Sequence, residues 1–313
     1  MNITFVLIGL ALLILGGNWL LQSAVGFSLR LQIPKIVIGM TVVSLATSAP
    51  ELIVSIQSAL EGHADIALGN VIGSNIANLG LVLAITILIA DIQVKESFYK
   101  TDWPVMMLAS VLLYLFIAFD GVLSRWEGLL LFALLIVVII YLLRYQTSAV
   151  VDEMPGDDKP LPLYQDLLYL VLGGVGLFAG SELLITGAVG MATELQVSER
   201  IIGITVVSIG TSIPELAASV IAILKKEKAI SLGNLIGSNM FNILAVLGIT
   251  SMITPISVGD PRLLSHDIFW MLGIALLVFP LVFGPVRMKL TWKEGLLLLT
   301  LYTVFIYTMV VPS

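Results

Sequence analysis

The chain contains no cysteine, which excludes disulfides, thiolate zinc sites and cysteine nucleophiles. Charge is scarce as well: 12% of the 313 residues are Asp, Glu, Lys or Arg, against 58% hydrophobic residues. A soluble chain of this length cannot bury that much apolar surface, so the composition is that of a polytopic membrane protein with the lipid bilayer as its partner. A formal net charge of −6, with the basic residues dispersed, argues against a nucleic-acid partner. No G-x-x-x-x-G-K-S/T phosphate loop occurs, which argues against an ATP-driven pump. The opening MNITF lacks a basic n-region, and no small-residue cleavage site follows, so the first apolar run reads as a retained span.

Apolar runs of roughly 20 residues, the length that crosses a bilayer as a helix, fall near 3–27, 36–60, 67–90, 103–119, 127–145, 163–190, 200–224, 229–253, 267–285 and 293–311. The expected fold is an all-α polytopic membrane protein of ten transmembrane helices. Assigning the basic residues to alternate connections puts twelve on one side and three (Arg125, Arg200 and Arg262) on the other. That bias predicts a multi-pass protein of the plasma (inner) membrane with both termini outside and the 146–162 linker in the cytoplasm. The linker stretch VDEMPGDDKPLP has no periodicity and is rich in acids and proline, so it reads as solvated chain.

The sequence repeats itself at one fixed offset. TVVSLATSAPEL at 41–52 returns as TVVSIGTSIPEL at 205–216 with nine of twelve residues identical, and LGNVIGSNIAN at 68–78 returns as LGNLIGSNMFN at 232–242 with eight of eleven. Apolar composition alone cannot align Thr, Ser, Pro, Glu, Gly and Asn in order, so the chain is internally duplicated. The halves are 1–145 and 163–313, with five expected spans each. Five is odd, so a shared fold requires the second half to be inverted, giving two inverted five-helix repeats whose motif-bearing spans meet near the midplane.

Glu51 and Glu215 fall in the middle of expected spans, where an unpaired charge costs at least about 2.5 kcal/mol. No Lys or Arg lies at that depth, so the compensator is a proton or a bound cation, and protons compete with any metal for the same oxygens. Pro50 and Pro214 remove a helical hydrogen bond and are expected to free the carbonyls of Ala46 and Gly210. Carboxylates, carbonyls and the neighbouring hydroxyls of Thr47, Ser48, Thr211 and Ser212 are hard oxygen ligands suited to Ca²⁺ and Na⁺. Ser74 and Asn78, four residues apart, share one helix face, as do Ser238 and Asn242. Asn70, Asn75, Asn234 and Asn239 serve equally well as interhelical hydrogen-bonding groups. Glu182 has no acidic mate, because the offset pairs it with Asn18, and a structural or access-path role is expected. His63 and His266 fall in expected external connections with no second histidine near, which speaks against a metal site there.

These paired boxes, T-x-x-S-x-x-TS-x-PE and GN-x-IGSN-x-x-N, resemble the α-repeats of the sodium/calcium exchanger family, within the cation/calcium antiporter superfamily, in its prokaryotic type. The resemblance covers nearly the whole chain. It implies a secondary active antiporter that exports Ca²⁺ against entering Na⁺ by alternating access, with no enzymatic activity and no cofactor, the ions being cargo. Carried over by motif position, a calcium site would use Glu51, Glu215, Thr47 and Thr211. Sodium sites would add Ser48, Ser74, Ser212 and Ser238, with the carbonyls of Ser44 and Ser208, and Asn78 and Asn242 nearby. Many relatives place an aspartate where Asn242 stands, leaving two formal charges here instead of three. That departure argues against potassium co-transport, whereas the SAPE form of the first box resembles potassium-dependent members. Ca²⁺/H⁺ exchange through the same glutamates is the nearest alternative, and a passive cation channel is the alternative from another class. No protein partner is implied.

Overall fold

The computed structural model describes residues 2–145, 162–196, 210–284 and 286–310. The expected linker 146–162 therefore lies outside the described residues except for Pro162. So do Ser208 and the first part of the seventh expected span.

The described chain is almost entirely helical. Its helices are α1 (Asn2–Leu31), α2 (Lys35–Thr47), α3 (Ala49–Leu60), α4 (Ala64–Ile89), α5 (Phe98–Asp120), α6 (Arg125–Tyr145), α7 (Leu163–Glu194), α8 (Ile213–Leu224), α9 (Lys228–Ile253), α10 (Leu263–Val282) and α11 (Trp292–Val310). Two-residue strands β1 (Ile92–Gln93), β2 (Val122–Leu123), β3 (Ile256–Ser257) and β4 (Lys289–Leu290) sit between them. Among the described residues seven helices are long and apolar enough to cross a bilayer singly, and an eighth span results if α2 and α3 count as one. That pair is bent by 45°, so the expected span 36–60 is a broken helix, in keeping with the hydrogen bond that Pro50 removes. Ser48, with φ −88° and ψ 4°, is the break, and Pro50 stands in the first turn of α3, where a missing N–H costs nothing.

Burial separates centre from periphery. In α4 and α9 the most apolar windows are 72% and 83% buried, against 28% in α1 and α7. Helices apolar all round belong in the interior, and α4 and α9 are the ones carrying the GN-x-IGSN-x-x-N boxes. Around them, α6 packs on the last turns of α9 and α11 on the last turns of α4. The long helices α1 and α7 lie along one another, with Gly16 against the Leu177 amide and the Gly173 carbonyl, an approach only small residues permit. Asn2 donates to Glu194 (2.7 Å) at one end of this pair, and Arg30 meets the buried Asp166 (3.3 Å) at the other.

Strand β1 pairs antiparallel with β4, and β2 with β3. The two pairings lie at opposite ends of α4, because β3 contacts its first turns and β1 directly follows its last. Twenty-six residues separate those ends, roughly 39 Å.

Candidate functional site

Four elements converge on the middle of the molecule: the α2–α3 break, the turn before α8, and the central turns of α4 and α9. Glu51 lies in the first turn of α3 and Glu215 in the first turn of α8, and both are 0% exposed. Each follows a proline in that turn, and each is preceded by a serine with nearly the same backbone: Ser48 at φ −88°, ψ 4° and Ser212 at φ −90°, ψ 4°. The two carboxylates lie within electrostatic reach of each other. Neither has an Arg or Lys partner among the described ion pairs.

The hydroxyls form a cross-braced set. Thr47 Oγ1 lies 3.3 Å from Ser238 Oγ, and Ser74 Oγ lies 3.1 Å from Thr211 Oγ1. These pairs are mates under the 164-residue offset with the halves exchanged. Ser48 Oγ donates toward Glu215 Oε1 at 3.4 Å, and Thr47 and Ser238 lie within reach of the same carboxylate. Asn70 donates to Ser55 at 3.2 Å, as its mate Asn234 does to Ser219 at 3.1 Å, so both brace the framework. Thr47 Oγ1 also donates to Asn234 Oδ1 (3.2 Å). The Ser44 hydroxyl turns to the Gly39 and Asn234 carbonyls (2.9 Å each), while the Ser44 carbonyl accepts the Ser48 N–H at 2.9 Å.

Several buried oxygens here have no hydrogen-bond partner within the protein: both carboxylate oxygens of Glu51, Oε2 of Glu215, Oγ of Ser212, and Oδ1 of Asn78 and Asn242. Buried polar atoms are normally paired, so a concentration of unpaired acceptors is the signature of a site built for a positive ligand. Among the described residues no three of His, Cys, Asp or Glu converge. A cation here would draw on two carboxylates supplemented by neutral oxygens, a donor set that fits hard cations and not soft ones. The asparagines break the repeat: Asn242 Nδ2 donates to Asn75 Oδ1 at 3.0 Å, whereas their mates Asn78 and Asn239 make no such bond.

A cavity of about 520 Å³ leads to this site from one end. Its lining runs from Asp65 and Asp260 inward past Asn70 and Gly73 to Ser74 and Thr211. The inner residues of the other half that correspond to these, Thr47, Asn234, Gly237 and Ser238, are buried. A Cβ on Gly237 would run into the Ser44 hydroxyl and the Met40 backbone, while one on its mate Gly73 would meet nothing within 4 Å.

The sequence missed Ser181. The carbonyl expected to be freed at Gly210 does not go unpartnered, since Ser181 Oγ on α7 donates to it at 3.0 Å. The offset pairs Ser181 with Gly17, so the duplication carries no trace of it. Ser181→Ala is expected to lower stability by about 1–2 kcal/mol, the cost of orphaning a buried acceptor, read as a fall in thermal midpoint of the detergent-purified protein. Glu182, next in sequence, is exposed on the face of α7 opposite the one that meets α1. His266 is engaged by Asp267 (2.7 Å) and Trp270 (3.1 Å).

The model of the family described as sodium/calcium exchanger protein matches residues 1–144 and 166–311. This chain belongs to that family. It is accordingly a transporter and not an enzyme, a multi-pass integral membrane protein of the exchanger family of antiporters. It is 40% identical over 319 residues, 97% of each chain, to CaxA of Alkalimonas amylolytica, assigned as an antiporter. To the sodium/calcium exchanger MaX1 of Methanosarcina acetivorans it is 28% identical over 346 residues, again 97% of each. The solved sodium/calcium exchanger from Methanococcus jannaschii superposes with a TM-score of 0.83 at 29% identity, covering 98% of both chains.

Proposed function

We propose that this family member exchanges Ca²⁺ for Na⁺ across the plasma membrane, using the Glu51/Glu215 site by alternating access. The observation that carries the reading is the pair of fully buried glutamates whose oxygens lack partners within the protein, set among hydroxyls and amides. One Ca²⁺ neutralises both carboxylates, and so do two Na⁺, with neutral oxygens of Ser74, Ser238, Thr47 and Thr211 completing the coordination. Ser44, Ser48, Ser212, Asn78 and Asn242 belong to the same oxygen set, and the motif match extends it to Ser208. Both ions need the same glutamates, so they exclude one another, and mutual exclusion couples the two fluxes.

The architecture in this proposal is ten spans in two inverted five-helix repeats, 1–145 and 163–313, joined by the 146–162 linker. Several contacts support it. Residue pairs that bridge distant parts of the chain, such as Lys35 with Glu227, Asp65 with the Gly259 amide and Asn2 with Glu194, all join connections that the alternation puts on the same side. Strand β1 and its mate β3 lie at opposite ends of α4, as inversion requires. The twelve-to-three lysine and arginine bias supports termini outside and the linker in the cytoplasm.

A Na⁺ gradient and a pH gradient separate the readings. Vesicles loaded with Na⁺ and diluted into Na⁺-free medium are expected to accumulate Ca²⁺, and a pH gradient alone is expected not to drive it. Uptake driven by the pH gradient alone would establish Ca²⁺/H⁺ exchange instead. With Asn242 neutral and donating to Asn75, the site carries two carboxylates, so exchanging choline for K⁺ on the Ca²⁺ side is expected to leave uptake unchanged. Lowering the pH on the Ca²⁺ side is expected to reduce it, because protons occupy the same oxygens.

A further inference from the structure

The open cavity is lined by Asp65 and Ile66 in the first turn of α4, whereas Lys228, which opens α9, donates to the Asp91 carbonyl just beyond the last turn of α4. The start of α9 therefore lies at the opposite end of the molecule. There α2 lies directly against α9. A Cβ on Gly39 would run into the Ile230 carbonyl, and one on Gly233 into the Ile36 carbonyl, so the two backbones leave no room between them. Ile66 and Ile230, mates under the 164-residue offset, record the difference between the ends. Ile66 is 53% exposed in the lining of the open cavity, and Ile230 is 1% exposed.

One ion pair stands at the outer edge of this closed contact. Lys35, the first residue of α2, gives its ammonium to both oxygens of Glu227, the residue before α9, at 2.8 Å each. Lys35 is buried and Glu227 half-buried. From this pair both helices run to the centre, where Thr47 at the end of α2 and Ser238 on α9 bring their hydroxyls within 3.3 Å. The pair thus joins the two halves of the chain at the start of the elements that carry the site.

Separating α2 from α9 must break this pair. If one partner is removed, the other keeps a charge that is poorly hydrated while the end is closed, a costly arrangement that separation would relieve. The pairing is not a by-product of the repeat. Glu227 precedes α9 with φ −90° and ψ 56°, and its mate His63 precedes α4 with φ −100° and ψ 57°, each N–H donating to the carbonyl five residues earlier at 2.8 Å. Their backbones are alike, yet His63 is exposed, and among the described residues the open end has no counterpart of the Lys35–Glu227 pair.

We propose that the Lys35–Glu227 pair is a latch that holds this end of the molecule closed, its rupture being required before α2 and α9 part and the carboxylates become reachable from this side. The inference rests on the alternating access of the proposed function and adds the contact that sets the balance between its two states.

A chain without cysteine makes the test direct. Ile230→Cys, placed alone in the full-length protein in detergent, reports opening of the closed end through its rate of maleimide labelling. Lys35→Gln and Glu227→Gln are each expected to raise that rate by about tenfold, equivalent to about 1.4 kcal/mol. Lys35→Glu combined with Glu227→Lys restores the pair in reverse and is expected to bring the rate back to within about threefold of wild type. Ser251→Cys, buried where α9 packs on α6 and outside both large cavities, reports general loosening and is expected to stay unlabelled in every variant. Unchanged labelling of the Ile230→Cys reporter in both single variants overturns the latch, as does an equal rise at both reporters. If the reporter in the otherwise wild-type chain still answers to Na⁺ and Ca²⁺, alternating access survives that failure; if it answers to neither ion, alternating access fails with the latch.

Discussion

Glu51→Gln and Glu215→Gln are each expected to cut Na⁺-driven Ca²⁺ uptake by about 100-fold or more, with the folded protein retained. The size of the effect follows from burial. Both side chains are 0% exposed, and removing one partner from a desolvated charge cluster costs about 3–5 kcal/mol. A factor of ten in affinity corresponds to about 1.4 kcal/mol, so even the lower figure exceeds a hundredfold. Glutamine keeps the shape and removes the charge. Both oxygens of Glu51 lack protein partners, so the fold loses no hydrogen bond there. The double variant should be no worse than either single one, because groups that act as a unit are not additive. The measurement is ⁴⁵Ca²⁺ uptake into Na⁺-loaded proteoliposomes, with size-exclusion profiles as the control for folding. Uptake within a few-fold of wild type in either single variant would remove these glutamates from the site.

The second large effect separates two glycines that occupy the same position in their respective boxes. Gly237→Ala is expected to destabilise the protein by about 2 kcal/mol or more, because its Cβ would be forced into the Met40 backbone and the Ser44 hydroxyl. Gly73→Ala, whose Cβ meets nothing within 4 Å, is expected to leave stability unchanged or raise it by up to about 1 kcal/mol through helix propensity. In an alternating-access cycle the halves exchange conformations, so Gly73 enters the close packing now seen at Gly237. Gly73→Ala should therefore slow turnover by about tenfold while the protein remains folded, the overpacking cost now falling on one state of the cycle. Thermal midpoints and initial uptake rates on the same preparations test both statements. A Gly73→Ala protein with normal turnover would argue against exchange of the two packings.

Most of the fold's plan was legible in the sequence because the duplication is written in residue types that apolar drift does not mimic. Among the described residues the glutamates, their prolines and the hydroxyls of Thr47, Ser48, Ser74, Thr211, Ser212 and Ser238 come together, as the repeat predicted, while seven single helices and one bent pair stand where ten spans were expected. The break in the second span was legible as a proline effect, and the structure puts it at Ser48, the non-helical residue before α3, because proline is accommodated within the first helical turn. The capping of the Gly210 carbonyl by Ser181 left no trace, since its mate is a glycine and a single serine in a long apolar helix has many uses. Nor does the sequence state which end is open. Gly73 and Gly237 stand in nearly identical boxes, and the difference between them lies in what packs against each.

The reciprocal contacts, Thr47 with Ser238 and Ser74 with Thr211, have the form of an isologous interface, the kind two identical subunits make about a two-fold axis. Such a pattern is what a half-length ancestor, inserted in the membrane both ways up and pairing with itself, would have left after its gene was doubled and fused. Fusion releases a constraint that a true homodimer cannot escape, because each mutation no longer appears twice. Asn242 bonded to Asn75, with the mirror pair Asn78 and Asn239 left unjoined, is one step along that release. Lys226, standing where the first half has Gly62, is another difference between the halves.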